Sequence, residues 1–250
     1  MTKKEKKRVF GLIGKNIDYS FSRNYFSSKF KKEGLSNCSY DNFDLKTIDQ
    51  FKEILQMNPL PAGLNVTIPY KKEIIPFLDN ISQEAQSIGA VNTIVWDKKG
   101  NTTGHNTDHV GFKKAVLESM SYTPENALIL GTGGASGAVK YVLEQLNCNH
   151  TFVSRNPRDG QLNYTDLNAN ILNQVDLIIN TTPLGTFPNT KARPSLPYNL
   201  VNSQHFLFDL IYNPEETTFM KLGKEKGASS SNGYKMLIFQ AEKAWQLWNQ

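Results

Sequence analysis

The chain has 250 residues, of which 39% are hydrophobic and 20% are charged, a composition typical of a globular protein with one large core or two moderate ones. Its net charge of +5 comes mostly from the first eight residues, which hold five basic groups and one acid, so the rest of the chain carries about +1. This distribution argues against a basic face that binds nucleic acid.

The cysteines and the N-terminal stretch indicate the cellular compartment. Cys38 and Cys148 are far apart in the chain, which argues against a disulfide framework and fits a reducing cytoplasm. The apolar run at residues 9–14 has only six residues, too few for a signal peptide core or a membrane span. We therefore predict a cytoplasmic protein with no membrane segment.

Strands and helices alternate through the first hundred residues. Apolar and β-branched runs predict strands at residues 9–14, 38–43, 63–69 and 89–96. Helical spacing of apolar residues predicts helices at residues 23–34, 45–55, 70–78 and 82–88. A hairpin-like turn follows at residues 97–101, and residues 102–108 lead into a helix over 110–120.

The stretch Ala127–Gly137 organises the second half of the chain. Four apolar residues predict a short buried strand, the glycine-rich turn Gly131–Gly134 follows, and a helix comes next. Strand, glycine turn and helix together place a diphosphate at a helix N-terminus. Ser136 stands where the pattern G-x-G-x-x-G has its third glycine, and the alternative is an ordinary tight turn.

The remaining elements continue the alternation. Further strands are predicted at residues 150–155, 175–182 and 206–212, and helices at residues 215–226 and 236–248. The fold class is therefore α/β with mostly parallel sheets and two domains. We assign residues 1–107 and 233–250 to a substrate-binding catalytic domain and residues 108–232 to a Rossmann-type dinucleotide domain. The last helix is expected to pack on the first domain and to leave a cleft between the two.

Lys71 and Asp108 form the candidate acid–base pair. The predicted helix puts Lys71 in its first turn, where the helix dipole disfavours a cation, so helix energetics do not account for this lysine. Reduction of a ketone by a nicotinamide places a proton on the oxygen, and a lysine held by a neighbouring carboxylate can supply it. The alternative is a surface ion pair, or no contact between the two.

Neutral hydrogen-bonding residues at strand ends and in loops of the first domain suit a polyhydroxylated substrate. They are Ser20, Ser22, Asn65, Thr67, Asn92 and Thr93. Turn and cap chemistry is the alternative for each of them. Asn92 is harder to explain in that way, because an amide within a strand needs partners if it is buried. The four histidines have no partners at metal-ligand spacing, so we expect no metal.

Arg155 indicates which dinucleotide would bind. It ends the second strand of the dinucleotide domain, 24 residues after Gly131, where an NAD-binding domain usually has an acid. An arginine at this place suits the 2′-phosphate of NADP. Ser154 and Asn156 flank it, and Arg158 adds a second charge. An exposed basic residue at a strand end is the alternative.

With these residues in place, the chain from Phe10 to Trp248 resembles the shikimate dehydrogenases. The family's segments appear in order as NVTIPYK (65–71), GAVNT (89–93), NTDHVGF (106–112), GTGGAS (131–136), NTTPLG (180–185), DLIYNP (209–214) and NGYKMLIFQA (232–241). The chain departs from the family pattern at Arg23, which replaces a proline of the first loop, and at Ser154-Arg155-Asn156, where the family usually reads N-R-T.

The resemblance implies reversible, NADPH-dependent reduction of 3-dehydroshikimate to shikimate in aromatic amino acid (chorismate) biosynthesis. By similarity, the catalytic pair would be Lys71 and Asp108. The substrate would be held by Ser20, Ser22, Thr67, Asn92, Tyr212 and Gln240. The cofactor NADP would be held by Gly131, Thr132, Gly133, Gly134, Ala135, Ser154, Arg155, Asn156, Arg158, Leu210 and Gly233. We expect a monomer or homodimer with no nucleic-acid or membrane partner.

Two other functions remain open. One is a quinate/shikimate dehydrogenase of the same family that uses NAD, against which Arg155 argues. The other is a catalytically silent relative that senses shikimate-like ligands. Retention of both Lys71 and Asp108 argues against a sensor, since a binding module has no need of a proton-transfer pair.

Overall fold

The computed structural model describes residues 6–18 and 20–250, and the chain divides into two compact units. The first unit comprises Met1–Thr107 and Ala241–Gln250, and the second comprises Asp108–Gln240. Most of the basic N-terminal stretch and Tyr19 of the first loop lie outside the described residues. Within the described part of the chain, no helix has the length and apolar character needed to cross a membrane.

The first unit is built on a mixed sheet. Its described strands are β1 (Arg8–Gly14), β2 (Cys38–Asp44), β3 (Gly63–Val66), β4 (Asn80–Ile81), β5 (Thr93–Trp96) and β6 (Thr102–His105), in the order β2-β1-β3-β5-β6-β4. The helices that begin in this unit are α1 (Phe21–Lys32), α2 (Phe51–Ile54) and α3 (Gln83–Ile88). Strand β5 runs antiparallel to both β3 and β6, whereas β1 is parallel to β2 and β3.

The second unit has a parallel sheet with helices on both faces. Its described strands are β7 (Asn126–Leu130), β8 (Asn149–Val153), β9 (Leu177–Asn180), β10 (Phe206–Asp209) and β11 (Ser229–Ser231), in the order β11-β10-β9-β7-β8. Its helices are α4 (Asp108–Ser119), α5 (Ser136–Gln145), α6 (Ala169–Leu172) and α7 (Thr218–Lys224), together with the first part of α8 (Tyr234–Trp248). Two apolar clusters cover the sheet faces, and its carboxyl edge is where a Rossmann fold binds its ligand.

The structure confirms the predicted α/β class and corrects several elements. Residues 70–78 form turns and a short 3₁₀ helix at Ile75–Phe77, because Pro76 has no N–H to donate within a helix. The predicted helix at residues 45–55 is reduced to a 3₁₀ turn at Ile48–Gln50 followed by α2. Residues 102–105 form β6, the second strand of the hairpin, instead of leading into the next helix.

Helix α8 belongs to both units. Met236 and Phe239 of its first half pack in a core of the second unit, whereas Ala244 and Trp248 of its second half pack with Phe10 in the first. The sequence prediction assigned the whole of 233–250 to the first domain. The structure places residues 233–240 in the second unit instead, because the apolar side chains of that half are used there.

Gly63 makes room for the end of this helix. A Cβ built on Gly63 would collide with the Trp248 indole, which is buried and donates to the Ile94 carbonyl at 3.1 Å. We expect Gly63→Ala to lower the free energy of unfolding by about 1–3 kcal/mol, the usual cost of overpacking. Urea denaturation measures this, with Gly133→Ala as the control because its Cβ would enter open space. Equal stabilities of the two variants would contradict the packing described.

Candidate functional site

A buried polar network lies at the middle of the first unit. The Asn92 side chain donates to Thr107 Oγ1 at 3.0 Å and accepts from the Thr107 backbone N–H at 2.6 Å and from Thr93 Oγ1 at 3.1 Å. Asn65 Nδ2 donates to the Asn92 carbonyl and to Thr93 Oγ1, both at 3.2 Å. These residues are at most 5% exposed. The network fixes the orientation of the Asn92 side-chain amide and supplies the hydrogen-bond partners that a buried amide needs.

Tyr40 extends the network toward α1. Its hydroxyl donates to Asn65 Oδ1 at 2.8 Å. Burial raises the pKa of Tyr40 well above its usual range, so the phenol stays protonated and remains a donor. Neither Tyr40 nor its role was identified from the sequence, because its partners come from distant segments.

Ser20 and Thr67 lie in loops that follow β1 and β3. Ser20 caps α1, its hydroxyl accepting from the Ser22 N–H at 3.2 Å. The Thr67 N–H donates to the Ile13 carbonyl at 2.8 Å, which fixes its loop beside the end of β1. A Cβ at Gly14 would lie 2.6 Å from the Thr67 methyl, so this approach requires glycine. Arg23 is exposed in the first turn of α1.

Lys71 is half-buried in a well-anchored segment. Its carbonyl accepts from the Val91 N–H at 2.7 Å, and the flanking residues Tyr70 and Ile74 are buried. The Tyr70 hydroxyl donates to the Leu45 carbonyl at 2.7 Å. The backbone of Lys71 is therefore held next to the residue that precedes Asn92. This anchoring, rather than the α-helix that we predicted, positions the lysine.

Asp108 is the first residue of α4 and is only 7% exposed. An acid at this position is favoured by the helix dipole. In the chain it directly follows Thr107, whose N–H and hydroxyl are bonded to Asn92. The residue that precedes the carboxylate is thus fixed by the buried network of the first unit.

The glycine turn after β7 has the geometry of a phosphate-binding loop. Gly131 has a φ of +101°, and a Cβ there would lie 2.7 Å from the Thr182 methyl, so only glycine fits. A Cβ at Gly133 or Gly134 would meet no atom of the described residues within 4 Å. Ala135 at the start of α5 provides no side-chain cap. The exposed turn, the open space beside it and the positive end of the helix dipole together suit the binding of a diphosphate.

Ser136 takes over part of the role of the missing third glycine. Its hydroxyl donates to the Gly133 carbonyl at 2.7 Å, and its N–H donates to the same oxygen at 3.1 Å. The side chain is 5% exposed and therefore turns inward, away from the exposed turn residues Thr132–Gly134. The substitution of serine for glycine thus closes the turn without filling the space above it.

The loop after β8 presents Arg155 on the surface. The Asn163 side chain donates to the Arg155 carbonyl at 3.2 Å, and Ser154 Oγ accepts from the Asn156 N–H at 3.2 Å. The Arg158 N–H donates to the Gln161 side chain at 3.1 Å. Side-chain bonds therefore shape the backbone of this loop while the arginine side chains stay exposed. These two cations suit a phosphate monoester.

The structure brings the predicted cofactor residues Leu210 and Gly233 together. A Cβ at Gly233 would overlap the Leu210 carbonyl, and the Gly233 N–H donates to the Ile211 carbonyl at 3.0 Å. Tyr212 is half-buried two residues after Leu210. The Gln240 side chain lies on α8, where its amide donates to the Leu237 carbonyl at 2.9 Å.

Asp209 is a buried carboxylate that the sequence analysis missed. It is fully buried at the end of β10 and accepts from Asn180 Nδ2 and from the Ile211 N–H at 3.0 Å each, and from the Thr217 hydroxyl at 2.6 Å. Burial raises the pKa of this carboxyl to about 6, against the opposing effect of these three donors. An acid inside the apolar run FLFDLIY was the signal that could have found it.

Stability should depend on pH through Asp209. The pKa of the Asp209 carboxyl is about 6 in the folded protein, against an ordinary value of 3.8. The protonated carboxyl therefore contributes its full stabilisation of the fold below the unfolded pKa, and this stabilisation is lost as the pH rises through the folded pKa. We expect the unfolding free energy of the native protein, relative to Asp209→Asn, to fall by about 3 kcal/mol between about pH 3 and pH 7. Urea denaturation at several pH values measures this difference. A pH-independent difference would contradict it.

The predicted site residues thus fall into two groups. The first unit holds Lys71 and the network that joins Tyr40 to Asn92, together with Ser20, Ser22 and Thr67. The second unit holds Asp108, the glycine turn, the Arg155 loop and the paired Leu210 and Gly233. Lys71 and Asp108 therefore belong to different units.

Comparison with known proteins covers nearly the whole chain. A family model for the shikimate dehydrogenase substrate binding domain matches residues 12–94. A shikimate dehydrogenase (NADP(+)) of Methanococcus maripaludis is 38% identical over 97% of this chain and 92% of its own length. The chain belongs to the shikimate dehydrogenase family. This confirms the resemblance that the seven ordered segments indicated.

Solved structures agree with this membership of the shikimate dehydrogenase family. A crystal structure of the enzyme from Thermus thermophilus, in complex with NADP(H) and shikimate, matches with a TM-score of 0.85 at 29% identity, over 96% of this chain and 93% of the other. A quinate dehydrogenase from Corynebacterium glutamicum in complex with NAD matches with a TM-score of 0.86 at 25% identity, over 98% and 94%. Both cofactors and both substrates therefore occur among structurally similar proteins.

Proposed function

We propose that this protein catalyses the reversible, NADPH-dependent reduction of 3-dehydroshikimate to shikimate, a step of aromatic amino acid biosynthesis. The observation that carries the proposal is Arg155, exposed after β8 in a family member that is 38% identical to an NADP(+)-dependent shikimate dehydrogenase. An arginine there pairs with a 2′-phosphate, which NAD lacks.

The cofactor would bind to the second unit. The diphosphate would lie at the turn Gly131–Ala135 and the 2′-phosphate at Arg155 and Arg158, flanked by Ser154 and Asn156. The paired Leu210 and Gly233 would lie beside the remainder of the molecule. When bound, NADPH supplies the hydride. The residues of this chain bind and orient it, and the open space above Gly133 and Gly134 supports that assignment.

The substrate would bind chiefly to the first unit. Ser20 and Ser22 would donate to its carboxylate together with Tyr212. Thr67, Asn92 and Gln240 would hydrogen-bond its ring hydroxyls. The fixed amide of Asn92 supports this role, because a donor whose orientation is set in advance loses little entropy on binding.

Lys71 would act as the general acid. Its ammonium would donate a proton to the carbonyl oxygen of 3-dehydroshikimate as that oxygen becomes a hydroxyl, and in the reverse direction the amine would accept it. Asp108 would hold the ammonium and the reacting hydroxyl in place. The anchored backbone of Lys71 supports this assignment, since a proton donor must stay within hydrogen-bond distance of the oxygen.

The quinate dehydrogenase with NAD is the second candidate, since it shares the fold at 25% identity. A comparison of kcat/KM for shikimate and quinate, each with NADP and NAD, separates the two functions. We expect the shikimate and NADP pair to give the highest value. A preference for quinate or for NAD would overturn the corresponding part of the proposal.

We further propose a cytoplasmic location and a monomer or homodimer. Cys38 and Cys148 are thiols and not a disulfide, which supports a reducing compartment. Light scattering on the purified protein measures the assembly, and a mass above that of a dimer would contradict it.

A further inference from the structure

Tyr40 and Asn65 meet across the strand that lies between them. Tyr40 is opposite Phe10 in the pairing of β2 with β1, and Asn65 is opposite Leu12 in the pairing of β3 with β1. Positions two residues apart along β1 share one face of the sheet. On that face the Tyr40 hydroxyl donates to Asn65 Oδ1 at 2.8 Å, and both residues are at least nine-tenths buried.

This hydrogen bond is the centre of a longer relay. Asn65 accepts the Tyr40 proton, and its Nδ2 donates to the Asn92 carbonyl and to Thr93 Oγ1, both at 3.2 Å. The Thr93 hydroxyl in turn donates to Asn92 Oδ1 at 3.1 Å. One phenol on β2 is therefore connected, through Asn65 and Thr93, to the side-chain amide of Asn92.

The ring of Tyr40 is held independently of its hydroxyl. It stacks on Phe26 with the ring centroids 4.6 Å apart and packs near Trp248 at 6.4 Å. The side chain is 3% exposed. Tyr40 thus has a fixed position from which its hydroxyl acts on Asn65.

We propose that Tyr40 is a positioning residue for the substrate, which sets the orientation of the Asn92 side chain through the relay. The proposal rests on the proposed function, in which Asn92 binds a ring hydroxyl of the substrate. Loss of the Tyr40 hydroxyl would leave Asn65 Oδ1 without this donor. The contact of Asn92 with the substrate would then lose a fixed orientation while the fold keeps its packed ring.

The chain contains a matched control for this proposal. Tyr198 is a half-buried tyrosine of the second unit, outside the predicted site residues, and its hydroxyl donates to the Pro194 carbonyl at 3.2 Å. Tyr40→Phe and Tyr198→Phe each remove one hydroxyl from a hydrogen bond to the protein. We expect both to lower the unfolding temperature. Only Tyr40→Phe should raise KM for shikimate, by about 3- to 10-fold, with a smaller change in kcat and none in KM for NADP.

A double-mutant cycle with Thr93→Val tests the path of the effect. If Tyr40 acts through Thr93, the increase in KM for the double variant will be smaller than the product of the single increases. Equal KM values in Tyr40→Phe and Tyr198→Phe would overturn the positioning role while wild-type turnover leaves the proposed function intact. An absence of wild-type turnover with shikimate would overturn both.

Discussion

Replacing Lys71 by methionine is expected to lower kcat by about 10²–10⁴-fold, the usual contribution of a general acid–base group, with a smaller change in KM for shikimate. Methionine keeps the apolar stem of the lysine and removes only its ammonium. The backbone anchors of the segment, the bond from Val91 to the Lys71 carbonyl and the buried Tyr70 and Ile74, do not depend on that side chain. The fold should therefore survive the change.

Lys72→Met is the matched control for this experiment. Lys72 is the next residue in the chain and is exposed, so its replacement removes the same charge from the same segment. We expect its kcat to remain at the wild-type value. Near-native turnover of Lys71→Met, or an equal loss in both variants, would contradict the assignment of Lys71 as the proton donor.

Replacing Arg155 by alanine is expected to lower kcat/KM for NADP by about 10- to 100-fold, while kcat/KM for NAD changes little. The range corresponds to the loss of one or two charge-assisted hydrogen bonds to a phosphate. The Arg155 side chain is exposed, and Asn163 holds its backbone through the carbonyl, so alanine should leave the loop in place. Steady-state kinetics with each cofactor at saturating shikimate gives both values.

Arg193→Ala is the control for charge alone, because Arg193 is an exposed arginine of the same unit outside the predicted cofactor residues. Its ratio of kcat/KM for NADP over NAD should equal that of the wild type. If Arg155→Ala kept the wild-type ratio, the 2′-phosphate would be recognised elsewhere and the cofactor assignment would lose its main support.

The dinucleotide fold could be predicted because its signal is local. A short apolar run, a glycine turn and an apolar helix face follow each other within about twenty residues, and each has a direct physical reading. Ser136 is compatible with this interpretation, because its hydroxyl donates to the Gly133 carbonyl within the same turn. The structure confirms the parallel sheet that these patterns implied.

The errors arose where a local pattern competed with backbone chemistry. Apolar spacing at residues 70–78 favoured a helix, but Pro76 lacks the N–H that a helix interior requires. The turn with Gly100 already predicted a hairpin, and its second strand, β6, should have followed from that turn. Both corrections follow from rules that were available in the sequence; apolar periodicity outweighed the proline rule at residues 70–78.

The buried polar partners could not be predicted, because they depend on contacts between distant segments. Tyr40 and Asn65 are 25 residues apart and meet only because their strands flank β1. Asp209 accepts hydrogen bonds from Thr217, which follows it after a turn, and from Asn180 on the neighbouring strand β9. The sequence shows which polar residues need partners, whereas the sheet order determines which partners they receive.

The most direct test of the proposed function is the reduction of NADP by shikimate in the presence of the purified wild-type protein, followed through the near-ultraviolet absorbance of NADPH. We predict a rate that is proportional to protein concentration and requires both compounds. Thermal stabilisation of the protein by shikimate and NADP with no formation of NADPH would contradict the account, because it would show a binding protein and not a dehydrogenase.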